Sequence, residues 1–188
     1  MAGTTDNEGG RRGSPRRMAV WGAAALVLLL PLVAMQFTDE VAWDLADFAI
    51  FGAMLVGACG TYELAARATG NRAYRAAVGL ALATAFILVW MNLAVGIIGN
   101  EENPANLMYG GVLAVGIIGA FIARFQPQGM ERALVATAIA QALVAAIALV
   151  AGLGYTLVLT GFFVALWLTS ARLFRQAARE PTHAGAAP

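Results

Sequence analysis

The sequence holds no lysine, one histidine (His183), one cysteine (Cys59) and two serines (Ser14 and Ser170). Each scarcity closes a chemistry. Without lysine there is no Schiff base to a carbonyl or a retinal. One histidine in a Gly/Ala/Pro tail and one cysteine in an apolar stretch cannot supply paired haem ligands, a zinc site or a CxxC redox pair. Ser14 lies in the polar N-terminus and Ser170 near the last helix end, so a serine hydrolase has no nucleophile. No GxGxxG or GxxxxGK[ST] string occurs, which removes both nucleotide fingerprints. The expectation is therefore no cofactor, no metal and no enzyme. Charge is scarce too. Only 12% of the 188 residues are charged, about half the fraction usual in soluble domains. A net charge of +1 gives no electrostatic footprint for a nucleic acid.

What the chain has in quantity is apolar surface: 60% of its residues are hydrophobic and its mean hydropathy is +0.72. One small core cannot bury that much, and a bilayer core needs runs of about 20 apolar residues. Six such runs are present. The chain is expected to be all-α, an integral membrane bundle of six transmembrane helices over residues 18–37, 45–66, 73–99, 105–124, 133–153 and 155–174. Residues 1–17 and 175–188 read as disordered tails. Pro31 lies inside the first run and is expected to kink it rather than end it. A cleaved signal peptide competes for that first run, but the run is long and Ala34-Met35-Gln36 is a poor cleavage site. Glycines in Ala151-Gly152-Leu153-Gly154 allow the reversal between helices 5 and 6.

The arginines test this threading. Arg11, Arg12, Arg16 and Arg17 precede helix 1; Arg67, Arg72 and Arg75 stand between helices 2 and 3. Arg124 and Arg132 stand between helices 4 and 5, and Arg172, Arg175 and Arg179 at the end of helix 6. These are all 12 basic residues of the chain, and six helices put them on one side. The opposite segments carry Asp39, Glu40, Asp44, Glu101 and Glu102 with no basic residue. The positive-inside rule then predicts both termini in the cytoplasm. Trp43 and Tyr109 fall near outer helix ends, where interfacial aromatics are common. The heptapeptide LAVGIIG occurs at 93–99 and again at 113–119, and reads as a reused small-residue packing string.

Small residues are the expected seams between helices in lipid: Ala49, Ala53 and Gly57 in helix 2, Gly79, Ala83, Gly96 and Gly99 in helix 3, Gly116, Gly119, Ala120 and Ala123 in helix 4, Ala138, Ala142 and Ala146 in helix 5. A seam not used internally would serve a homo-oligomer or a membrane-protein partner. Few polar groups interrupt the runs. Asp44 and Asp47 either cap helix 2 or form an acidic outer vestibule with Asp39, Glu40, Glu101 and Glu102. Asn92 in helix 3 and Gln141 in helix 5, with Thr137 one turn away, read as interhelical hydrogen-bonding groups or as points along a path. Glu63 and Arg67 form an i,i+4 pair. Asn103-Pro104-Ala105 matches the aquaporin Asn-Pro-Ala signature in one copy only; Asn103 as N-cap and Pro104 as first helical residue explain it more simply.

The strings FTDEVAW-DLADF (37–48), YELAAR (62–67) and VGIIGNEENPANLMYGGVLAVGIIGAFIARFQPQGM (95–130) resemble a group of small multi-pass bacterial membrane proteins. The resemblance covers most of residues 37–150. It implies a bacterial cytoplasmic membrane and supplies no activity, ligand or catalytic residue. The residues leave two functions open. The first is a non-catalytic accessory or assembly component surrounded by lipid. The alternative is a small channel or transporter for protons, cations or small neutral solutes. It would have candidate permeation residues Asp44, Asp47, Asn92, Glu101, Glu102 and Gln141.

Overall fold

The computed structural model describes residues 15–38, 41–153 and 156–180. They form six α-helices: α1 (Pro15–Ala34), α2 (Leu45–Ala68), α3 (Arg72–Ala94), α4 (Met108–Ile122), α5 (Pro127–Val150) and α6 (Leu157–Arg179), with a 3-10 helix (Pro104–Leu107) before α4. No strand occurs among the described residues. All six helical segments are long and apolar enough to cross a membrane, as the hydropathy runs require.

The helix ends differ from the apolar runs in instructive ways. α5 begins at Pro127, six residues before the expected start, and α6 continues to Arg179, beyond the expected end at 174. Helices persist into the polar boundary as long as the backbone can satisfy itself, so charged turns are helical although they break the apolar run. Residues 175–179, expected in a disordered tail, are the last turn of α6. The larger correction is in helix 3, expected to reach Gly99. It ends at Ala94, because Gly96 (φ +67°) and Gly99 (φ +73°) take the left-handed conformation that glycine alone adopts without strain.

The chain divides into two compact units, residues 1–59 and 60–188. In the first, α1 runs through Pro31 without stopping, and a Cβ on Gly52 of α2 would meet Leu28 of α1 at 3.9 Å. Trp43 packs edge-on against Phe48 and Phe51, with centroids 5.2 and 5.3 Å away.

In the second unit α5 packs between α4 and α6, and α3 packs on the other side of α6. The α4–α5 seam is close because Gly116 and Gly119 face Thr137 and Ala133; a Cβ on Gly119 would stand 2.8 Å from that of Ala133. The expected seam on α5 is only partly used. Ala138 is buried, whereas Ala142 and Ala146 are exposed, since the packed stripe runs through Leu134, Ala138, Gln141, Val144, Ala145 and Ala148. Across the α3–α6 contact the Ser170 hydroxyl donates to the Ala77 carbonyl at 2.7 Å. The interior is filled by large side chains: Leu88, Ile98, Phe163 and Phe174 are 0% exposed. In lipid such contacts hold helices by dispersion and shape rather than by exclusion of water.

One end of this unit gathers the arginine-bearing segments. Asn71 caps α3 through the Tyr74 amide and donates to the Ala177 carbonyl of α6. The Tyr74 hydroxyl donates to the Phe125 carbonyl between α4 and α5 at 2.7 Å. Arg175 pairs with Glu131 at 2.6 Å. The α4 C-terminus closes as a Schellman turn, with Phe125 N–H on Ala120 O and Arg124 N–H on Phe121 O. Arg124 occupies the left-handed position at φ +48°, which costs a side-chain-bearing residue about 1–2 kcal/mol. The α5 C-terminus makes the same turn with Gly152 at φ +66°. That glycine begins the reversal expected there.

Candidate functional site

The six candidate residues serve three different local structures. Asp44 and Asp47 are exposed and bind each other's backbone: the Asp44 amide donates to Asp47 Oδ2 and the Asp47 amide to Asp44 Oδ1, both at 2.9 Å. The Asp44 carbonyl takes the first helical bond, from Phe48 N–H. This is the reciprocal geometry of a capping box with aspartate in both places, so the capping alternative describes these two residues. Asp39 and Glu40, offered with them as an outer vestibule, lie outside the described residues, as does His183.

Asn92, Glu101 and Glu102 belong to the segment between α3 and α4. Glu101 and Glu102 are exposed at its turn. Asn92, in the last turn of α3, donates through Nδ2 to the Asn106 carbonyl at 3.2 Å. Residues 95–103 fold back onto the end of the helices. Ile97 and Ile98, between the two left-handed glycines, are 9% and 0% exposed. What fixes the segment is Asn106, a residue that sequence reasoning missed. Its Oδ1 accepts from the Ile97 and Ile98 amides at 3.1 and 2.9 Å; its Nδ2 donates to the Ile98 and Asn100 carbonyls at 3.4 and 2.6 Å. Two acceptor sites and two donors are the whole capacity of an amide side chain, and all four are used. Asn103 caps the 3-10 helix through the Ala105 amide at 3.0 Å, with Pro104 as its first residue. The Asn-Pro-Ala string is thus a helix start. A hint of Asn106 was present in the sequence: a second amide three residues after the cap, next to an apolar run.

Gln141 stands apart. It is 0% exposed on α5, nine residues before Val150, about 14 Å below that helix end. Neither its Oε1 nor its Nε2 has a hydrogen-bond partner. The expected interhelical hydrogen bond from Gln141 is therefore not made; its neighbours on the buried stripe, Val144, Ala145 and Ala138, offer none. Thr137, one turn before it, back-bonds to Ala133 O at 2.9 Å. Glu63 and Arg67 form the expected i,i+4 pair.

Tyr109 also departs from expectation. Rather than lying in an interfacial belt it is 1% exposed, on the face of α4 that also buries Val112 one turn on. Its hydroxyl lies within reach of the Thr156 and Thr160 side chains.

Taken as chemistry, these groups cap, staple and pack. Ser170 is buried on a carbonyl. Cys59 is a free, half-buried thiol. No cluster of three metal-ligating side chains occurs among the described residues. Neither a protein-family model nor a curated protein nor a solved structure matches the chain.

Proposed function

We propose that this polytopic membrane protein is a non-catalytic assembly component of a bacterial cytoplasmic membrane, with both ends on the cytoplasmic side. Its partners are the surrounding lipid and a second copy or another membrane protein, not a nucleic acid. The observation that carries the reading is how its polar residues are used. Asp44 and Asp47 satisfy the first turn of α2, and Asn92 helps fix the 95–106 segment. Leu88 of α3, Ile98 of the following segment and Phe163 and Trp167 of α6 fill the interior, none more than 3% exposed. Large, mostly apolar side chains at these positions support packing rather than passage.

Surface for assembly lies elsewhere. Only 6% of the apolar windows of α1 and α2 is buried, against 44% for α5. Ala46, Ala49, Ala53 and Gly57 are exposed along one face of α2, at spacings that let a second backbone approach closely. Ala49→Leu and Ala53→Leu are expected to weaken association about tenfold, roughly 1.4 kcal/mol, read as a shift from complex to single chain in native electrophoresis of membrane extracts. Val158→Ala, at an exposed position on α6, is the control. An assembly size unchanged by both leucine substitutions contradicts the proposal.

The second reading is a small channel or transporter. The unpartnered polar atoms of Gln141 and Asn92 favour it, since polar groups inside a membrane protein commonly mark a pathway.

A further inference from the structure

The last turns of α6 carry Arg172, Arg175 and Arg179. Three and then four residues apart, they share one face of the helix, and all three are exposed. The packed face is the opposite one, where Ser170, Phe174 and Ala177 are buried. The arginine face therefore looks away from the bundle. By length it does so while α6 is still inside the membrane. A hydrocarbon core of about 30 Å takes about 20 helical residues, which from Leu157, where α6 begins, reaches just past Arg175. Arg175 is neutralised within the protein by Glu131 of α5. Arg172 and Arg179 are not, and neither is Arg132, exposed beside Glu131 on α5. Among the described residues none of these three guanidiniums has a hydrogen-bond or ion-pair partner. Glu180, just past Arg179, accepts instead from Gln176 Nε2 at 3.5 Å.

A guanidinium that leaves a helix at the rim of the hydrocarbon core lays its apolar stem along the lipid and carries its charge to the phosphate layer. Arg172 and Arg179 are about 10 Å apart along the helix axis, a difference in depth that two long side chains can take up. We propose that Arg172 and Arg179, with Arg132 across the α5–α6 seam, form a binding site for the headgroup of an acidic phospholipid. The planar fork of a guanidinium matches a phosphate with two parallel hydrogen bonds. Positive charges with no carboxylate set against them select a lipid of net negative charge; a zwitterionic headgroup would bring its own ammonium among them. Glu131 shapes the site by drawing Arg175 onto α5 and leaving the outer arginines to the ligand. The site adds a lipid class to the partners proposed above and rests on that reading only in placing the chain in a membrane.

The test is native mass spectrometry of the full chain in detergent, titrated with phosphatidylglycerol or with phosphatidylcholine of the same acyl chains. The wild type is expected to retain phosphatidylglycerol in preference. Arg172→Gln and Arg179→Gln are each expected to lower that retention about fivefold and to leave retention of phosphatidylcholine unchanged. Arg124→Gln removes the same charge from the turn between α4 and α5, where Arg124 is exposed, and is expected to change retention by less than about twofold. In lipid-free detergent the variants are expected to melt as the wild type does, because the replaced side chains bond nothing in the protein. Retention is read on the mass of the single chain, so a failure here is distinct from a failure of assembly. Equal retention of the two lipids by the wild type overturns the proposal. So do equal losses from Arg124→Gln and Arg172→Gln, which would show a diffuse positive field in place of a site. Displacement of the lipid by millimolar glycerol phosphate also overturns it, by giving the site to a soluble anion.

Discussion

Replacing Asn106 with leucine is expected to cost the protein much of its stability. Leucine fills a similar volume but abandons the amides of Ile97 and Ile98 and the carbonyls of Ile98 and Asn100. Each buried backbone group left without a partner costs about 1–3 kcal/mol. The Asn100 carbonyl keeps the Asn103 amide, so three groups are orphaned; they amount to roughly 3 kcal/mol or more, against a total stability of about 5–15 kcal/mol for a typical protein. Asn106→Asp separates the terms. It keeps the two accepted bonds but sets an anionic oxygen against the Asn100 carbonyl, 2.6 Å from the present nitrogen. Folded yield and cleavage by a glutamate-specific protease at Glu101 and Glu102 measure both variants. Leucine is expected to give little folded protein and rapid cutting. Wild-type yield and cutting rate from Asn106→Leu would show that the amide does not hold the segment.

Gly96→Ala is expected to be as damaging for a different reason. A Cβ there would stand 2.2 Å from both the carbonyl carbon and oxygen of Asn100 and 2.5 Å from the Glu101 nitrogen. Those are backbone atoms in the turn that Asn106 staples, so no side-chain rotation relieves the overlap. The left-handed φ of +67° adds about 1–2 kcal/mol for any residue with a Cβ. Gly99→Ala meets only the Asn103 amide nitrogen, at 3.1 Å, and a side chain can shift; its cost is expected near the conformational term alone. Gly111→Ala, in open space within α4, is expected to stabilise by about 0.5–1 kcal/mol. Thermal unfolding ranks the three. Equal effects at Gly96 and Gly99 would mean that the turn is looser than its geometry implies.

The sequence made the helices legible because length and hydropathy answer to one constraint, the thickness of the bilayer core. It could not distinguish the two copies of LAVGIIG. At 113–119 the string is helical, in the middle of α4; at 93–99 the helix ends after its second residue. The seven residues are identical, so the difference comes from the neighbouring chain. The first copy runs into Asn100-Glu101-Glu102-Asn103-Pro104, whose cap and turn give the chain reason to leave the helix, and Asn106 holds the exit in place. Capping was legible for the same local reason, since Asp44 with Asp47 and Asn103 with Pro104 act within three residues. Tyr109, Thr156, Thr160 and Ser170 were not. Their burial depends on which face of α4 and α6 turns inward, and a helix apolar all round such as α4 carries no such signal.

The central claim, that this is a packed assembly component and does not pass solutes, is tested most directly by flux across liposomes. These would contain the purified full chain and be challenged in turn with protons, monovalent cations and small neutral solutes. The account predicts rates equal to those of protein-free liposomes, for wild type and for Gln141→Leu alike. Flux of any of these above that background, reduced by Gln141→Leu or by Asp47→Asn, would contradict it and make the chain a channel or transporter.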